Sequence, residues 1–287
     1  MRDLADQPIG VFDSGIGGLS VLQALMAELP HERFVYVADS GNAPYGERGD
    51  AFVAERTHAI ADYLLAHQHI KALVVACNTA TAAAIDEARM RYPQMPLIGV
   101  EPALKPAVAL TQTGRIGVIG TRGTLASNKF AKLLDSLKGQ AEFVIQPCKG
   151  LAHAIEFRTE HPTANEVPKS EVLRLCEAYT QAMGAFGKGV GQIDSLVLGC
   201  THYVFAMDEL RAILGSDIHF LSTGEPVARQ ARRLLETQGL LAPTDKTDAA
   251  KLVQLLTTGR LTDLQSAALR WLHLPAQLCC QAVGLSQ

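Results

Sequence analysis

Two short stretches end an apolar run in a cysteine and follow it at once with amide, hydroxyl or imidazole side chains: Ala76-Cys77-Asn78-Thr79 and Gly199-Cys200-Thr201-His202. A thiol at the start of a helix is a candidate nucleophile or proton carrier, because the leading N–H groups favour thiolate charge. Two such thiols in matching settings suit a task that needs one group on each side of a carbon. A thiolate removes a proton from one face, the opposing thiol returns one to the other, and the centre inverts. Racemisation of an α-amino acid makes this demand, and it needs no pyridoxal lysine if thiols act alone. Asp13-Ser14-Gly15 precedes Gly17-Gly18, so backbone N–H groups are free to approach an anion. The spacing is not Gly-x-Gly-x-x-Gly and no P-loop lysine follows, so a small carboxylate fits better than a dinucleotide. Pro44-Tyr45-Gly46 is a fourth polar cluster in a turn-rich segment.

Other chemistries remain open at this point. Cys77, Cys200, His202 and Asp13 are the residue types of a mixed metal site, which would suit a metal-dependent hydrolase, although only Cys200 and His202 lie close together in sequence. A non-catalytic binding protein is a third class. No Cys-x-x-Cys occurs among the six cysteines, so zinc-ribbon and thioredoxin-like readings are set aside. Cys148 and Cys176 read as buried, inert thiols, and Cys279 and Cys280 as incidental members of a C-terminal tail, Pro275 to Gln287.

The elements that must hold these clusters alternate in type. Ile9–Phe12, Phe34–Ala38 and Leu73–Ala76 read as strands, and Leu19–Leu29, about Ala51–His67 and Ala80–Arg91 as helices. Such a rhythm predicts α/β architecture with a mostly parallel sheet. Ligands bind such sheets beyond the carboxyl ends of the strands, where all four clusters fall. Ile9-Gly10-Val11-Phe12-Asp13-Ser14-Gly15 is echoed in outline by Ile116-Gly117-Val118-Ile119-Gly120-Thr121-Arg122-Gly123, and Leu73-Val74-Val75-Ala76-Cys77-Asn78-Thr79 by Leu196-Val197-Leu198-Gly199-Cys200-Thr201-His202. The echo predicts two pseudo-symmetric α/β domains with the site in the cleft between them. Val100 to Pro106 is the expected crossing point, because two prolines interrupt it. The expected domains are 1–101 plus 221–287, carrying Asp13 and Cys77, and 102–220, carrying Cys200. The C-terminal third is expected to be helical over Ala228–Leu241 and again over Ala249–Leu256.

Composition narrows the classes. The 287 residues are 48% hydrophobic and 19% charged, which excludes a disordered or fibrous chain, and a net charge of −3 without a basic stripe argues against nucleic acid. No apolar run approaches the roughly 20 residues of a membrane span. The first six residues carry acids and no apolar stretch, so a cytoplasmic protein without a signal peptide is expected.

The chain resembles the glutamate racemases of the cofactor-independent aspartate/glutamate racemase superfamily. The resemblance rests on Gly10-Val11-Phe12-Asp13-Ser14-Gly15-Ile16-Gly17-Gly18-Leu19, Asp39 through Arg48, Ala76-Cys77-Asn78-Thr79-Ala80-Thr81 and Leu198-Gly199-Cys200-Thr201-His202-Tyr203. It implies interconversion of L- and D-glutamate to supply peptidoglycan synthesis, no cofactor or metal, and a homodimer. Aspartate or another small amino acid is the runner-up substrate. The resemblance implies that Cys77 faces D-glutamate and Cys200 faces L-glutamate. It places Asp13, Ser14, Tyr45, Gly46, Asn78, Thr79, Thr201 and His202 at substrate-binding positions, with Asp13 and His202 as polar neighbours of the thiols. Glu156 aligns with a family glutamate, but Cys148-Lys149-Gly150-Leu151-Ala152-His153-Ala154 departs from the expected proline-containing pattern, so it stays outside the site residues. Asp39 and Glu47 read as solvated or structural. His31, His58, His67, His69 and His161 read as surface residues.

Overall fold

In a computed structural model, residues 4–160, 167–243, 253–273 and 280–284 are described. Ten strands run through them: β1 (Ile9–Asp13), β2 (Phe34–Ala38), β3 (Ala72–Val75), β4 (Leu97–Gly99), β5 (Arg115–Gly120), β6 (Glu142–Pro147), β7 (Ser195–Gly199), β8 (His219–Leu221), β9 (Val253–Thr257) and β10 (Cys280–Ala282). The helices between them are α1 (Leu19–Glu28), α2 (Asp50–Gln68), α3 (Asn78–Arg91), α4 (Leu104–Leu110), α5 (Arg122–Leu125), α6 (Asn128–Asp135), α7 (Leu151–Glu160), α8 (Val167–Met183), α9 (Met207–Leu214), α10 (Gly224–Thr237) and α11 (Leu261–Ala267).

The strands form two sheets, ordered β10-β9-β2-β1-β3-β4 and β6-β5-β7-β8, and every pairing is parallel. The fold is α/β with two parallel sheets flanked by helices. β1, β2, β3 and β7 are buried at every position. That explains why they read as unbroken apolar runs, since strands of a parallel sheet are covered on both faces. The internal echo is borne out in the strand order. Replacing β1, β2, β3 and β4 by β5, β6, β7 and β8 turns the segment β2-β1-β3-β4 into the second sheet. Parallel strands also gather their carboxyl ends on one side, which is how Asp13, Asp39 and Cys77 come together from β1, β2 and β3.

Several expectations need correction. The described part of the segment expected to be helical over Ala249–Leu256 is not helix. It begins strand β9, which lies beside β2 with Leu255 opposite Tyr36. A short apolar run has no period that separates a buried strand from a buried helix. The tail likewise contributes β10 at the edge of β9, pairing Cys280 with Leu255, while Cys279 lies outside the described residues. His58 is buried on α2 with Nε2 3.3 Å from Glu87 on α3, whereas His67 and His69 are exposed, His31 is half-buried and His161 lies outside the described residues. The crossing segment holds more helix than its prolines suggest. Pro106 sits in the first turn of α4, where the backbone N–H that proline lacks has no intrahelical partner to lose. Pro226 sits likewise in the first turn of α10, which ends at Thr237, earlier than expected, before the left-handed Gly239. Among the described residues no helix is long and apolar enough to cross a membrane.

Candidate active site

Cys77 lies two residues past β3 and is the N-cap of α3; Cys200 follows β7 and is the N-cap of a short 3-10 helix, Thr201–Ala206. The two thiols, one from each sheet, open into the same cavity of about 400 Å³, a size typical of small-molecule sites. Ser14, Tyr45, Gly46, Asn78, Thr79, Thr201 and His202 line it with them. Asp13 is the one expected site residue that does not. It is fully buried at the end of β1, and its Oδ2 accepts from the backbone N–H groups of Gly15 (3.2 Å) and Gly18 (3.0 Å).

This corrects the reading of the glycine turn as an open anion cradle. The N–H groups of Gly15 and Gly18 are taken by Asp13, and that of Ile16 by the Glu156 carboxylate at 3.1 and 3.3 Å. The anions the turn receives are the protein's own. The glycines are needed for closeness. A side chain at Gly15 would collide with the Glu156 carboxylate, and one at Gly17 with the His202 imidazole and the Thr201 hydroxyl.

Glu156, on α7, lines the cavity and is nine-tenths buried. Its Oε2 lies 2.5 Å from His202 Nε2, and Ser40 donates to its Oε1 at 3.3 Å. His202 Nδ1 is 3.8 Å from the Cys200 sulfur. Burial opposes a charged imidazole here, but the Glu156 carboxylate and Cys200 outweigh it and hold the His202 pKa well above the ordinary value. An imidazolium beside Cys200 can pass a proton to the thiolate and take it back from the thiol.

Cys77 sits differently. Its thiol donates to Ser14 Oγ at 3.7 Å, and burial, followed by the charge of Asp13, pushes its pKa up despite a helix N–H at Ala80. The expected lowering by a helix start is therefore outweighed, because removing charge from water costs more than one helix turn returns. Burial also raises the pKa of Asp13, although His202 opposes this.

Two buried groups in this region lack partners among the described residues: both amide atoms of Asn78 and Oδ1 of Asp13. Each unpaired buried polar group costs about 1–3 kcal/mol, so Asn78, which faces the cavity, is placed to recover that cost from a polar ligand. Among the described residues no three His, Cys, Asp or Glu side chains converge as metal ligands would.

A family model described as Asp/Glu/Hydantoin racemase matches residues 18–210. The chain belongs to that family. It is 44% identical over 259 residues to a protein named glutamate racemase from Ectopseudomonas mendocina strain ymp, covering 90% of this chain and 92% of that one. Glutamate racemase isoform RacE1 of Bacillus anthracis superposes with a TM-score of 0.81 at 32% identity, over 97% of this chain and 98% of that chain. The glutamate racemase of Francisella tularensis, solved in complex with D-glutamate, superposes with a TM-score of 0.79 at 28% identity, over 98% of this chain and 99% of that one.

The racemase pocket contains residues that sequence reading did not select. Ser40, Thr121, Arg122, Cys148, Lys149, His153 and Glu156 also line it. Glu156 is 140 residues from its partner Ile16, and no local pattern announces such a contact; the alignment with a family glutamate was the available signal. Thr121, which follows the echo strand β5, has its hydroxyl 3.0 Å from that of Thr79. The echo pointed to that position through Thr121 itself. Cys148 is buried as expected but lies in the cavity wall, and Cys176 is buried in the core, its pKa raised by that burial to about 12.

Proposed function

We propose that the chain is a glutamate racemase in which Cys77 and Cys200 are the two acid/base groups. The observation that carries the reading is that these thiols reach one cavity from two different sheets, each with its own polar neighbours. For L-glutamate, the Cys200 thiolate takes the α-proton and the electron pair stays on the α-carbon, delocalised into the carboxylate. The Cys77 thiol then delivers its proton to the opposite face, giving D-glutamate. The reverse reaction exchanges the roles, and no redox partner or cofactor enters the balance. His202, held by Glu156, exchanges the proton at Cys200, while Ser14 and Asp13 serve the Cys77 side. Asn78, Thr79, Thr201, Tyr45 and Gly46 supply hydrogen bonds to the substrate's polar ends.

The same reading assigns the two sheets to domains 1–101 plus 221–287 and 102–220, with catalysis at their junction. It takes the protein as a cytoplasmic homodimer that supplies D-glutamate for peptidoglycan. Purified protein, dialysed against chelator, is expected to carry the optical rotation of L-glutamate to zero, because enantiomers have equal free energy in water. Glutamate is expected to slow inactivation by a thiol-alkylating reagent. Racemisation of aspartate but not glutamate would move the assignment to the runner-up substrate.

A further inference from the structure

Ser40, Tyr45 and Gly46 line the cavity from the segment between β2 and α2, which contains only two single-turn 3-10 helices, Ser40–Asn42 and Tyr45–Glu47. Such a segment has few backbone hydrogen bonds to fix its shape. Its shape matters, because Ser40 donates to Glu156 and any side chain at Gly46 would collide with Thr121. The segment's first residue is Asp39, fully buried at the end of β2, with its backbone N–H donating to Asp13 at 3.0 Å.

The Asp39 carboxylate is a hub. It accepts from the Tyr45 hydroxyl at 2.5 Å, from Asn42 Nδ2 at 3.0 Å and from Thr258 Oγ1 at 2.7 Å. Arg56, in the second turn of α2, closes the set with a two-pronged pair, Nε to Oδ2 at 3.0 Å and the terminal nitrogen to Oδ1 at 2.9 Å. Neither Asp39 nor Arg56 lines the cavity. Stability alone is a poor reason for this pair, since buried ion pairs are often matched or bettered by apolar residues of similar volume. What a planar guanidinium fork does supply is orientation. It fixes both carboxylate oxygens, and these fix the Tyr45 ring, which packs between Phe12 and Phe52 with centroids 6.1 Å from each.

We propose that Arg56 is a positioning residue for substrate binding: acting through Asp39, it holds the Ser40–Gly46 segment in the conformation that receives glutamate. The proposal rests on glutamate being the substrate. If the segment contributes binding that is equal in the ground and transition states, its misplacement raises KM and leaves kcat largely intact.

The test uses the full-length enzyme with Arg56→Ala and Arg56→Lys. Arg56→Ala is expected to raise KM for both enantiomers about tenfold, the size of one charge-assisted hydrogen bond, with kcat nearly unchanged. Added guanidinium at non-denaturing concentration is expected to lower that KM towards wild type. Arg56→Lys is expected to fall between the two, because an ammonium cannot form the fork. Unchanged KM in the Arg56 variants, or lost kcat at constant KM, overturns the proposal. If Arg56→Ala does not fold, Arg56→Lys decides: a raised KM supports the coupling and an unchanged one removes it. Amide hydrogen exchange in ligand-free protein gives an answer independent of substrate. Residues 39–47 are expected to exchange faster in Arg56→Lys, and equal protection overturns the proposal. A wild-type protein inert towards glutamate would instead refute the assigned activity.

Discussion

The two thiols have unlike surroundings. Cys200 has an imidazole held by a carboxylate beside it, whereas Cys77 has a serine hydroxyl and the charge of Asp13. Their assignment to faces is testable, but not by steady-state rates. With an equilibrium constant of one, any variant must lose kcat/KM equally in both directions. Isotope exchange separates them. A serine hydroxyl is a far weaker base than a thiolate, so Cys77→Ser is expected to stop racemisation yet leave Cys200 able to take its own proton. In D₂O that variant is expected to deuterate L-glutamate without inverting it, and Cys200→Ser to deuterate D-glutamate. The reverse pattern would exchange the faces, and exchange of both enantiomers by one variant would point to a single base. At this scale the sequence was informative because each thiol is followed at once by polar residues that line the same cavity, Asn78 and Thr79 after Cys77, and Thr201 and His202 after Cys200. Glu156 and Arg56 carried no such signal. Their partners are distant in sequence, and a glutamate or arginine in a helix pattern reads as solvated surface.

The element that most constrains the site is the turn between β1 and α1. Its glycines were legible as a place of close approach, but what approaches could not be read. The structure shows Glu156 and His202 there, brought from α7 and from the segment after β7. Ser20, at the start of α1, also donates to the Thr201 carbonyl at 3.3 Å. Gly17→Ala is therefore expected to push His202 and Thr201 out of place and leave the turn itself unstrained, since Gly17 does not have a left-handed φ. A displacement of about 1 Å costs on the order of 10²-fold in rate when geometry is optimised. Assay of kcat/KM alongside circular dichroism checks this. A folded Gly17→Ala protein with wild-type activity would show that His202 has freedom to shift without consequence. Strand β9 shows the opposite kind of failure. Val253–Leu256 falls within the expected helix Ala249–Leu256 because its apolar run is too short for its period to decide, and only its seat beside β2 fixes it as strand.

Across the whole molecule, the site belongs to neither sheet. Thr79 at the start of α3 meets Thr121 after β5 at 3.0 Å, and Lys129 of α6 pairs with Asp86 of α3 at 2.8 Å. The halves also share one buried core, in which Leu19 and Leu22 of α1 cluster with Ile155 of α7 and Tyr203, and Phe205 stacks on Trp271 with ring centroids 4.3 Å apart. The duplication was legible because both copies keep the same strand order and the same thiol position. The return of the chain to the first sheet through β9 and β10 was less so, since the reading treated those segments as helix and tail. A ligand gripped from both halves must stabilise them together. At one hundred times its dissociation constant, a ligand specific for the folded state adds about 2.7 kcal/mol. For a chain of this size that corresponds to a rise of roughly 4–5 °C in the unfolding midpoint. Glutamate is expected to produce such a rise with either enantiomer, and to raise the lower transition if the halves melt separately. Aspartate at the same concentration and ionic strength is the control, being shorter by one methylene and unable to span the same donors. An equal shift with aspartate would show that the junction does not measure side-chain length, and no shift with saturating glutamate would place its binding outside the junction.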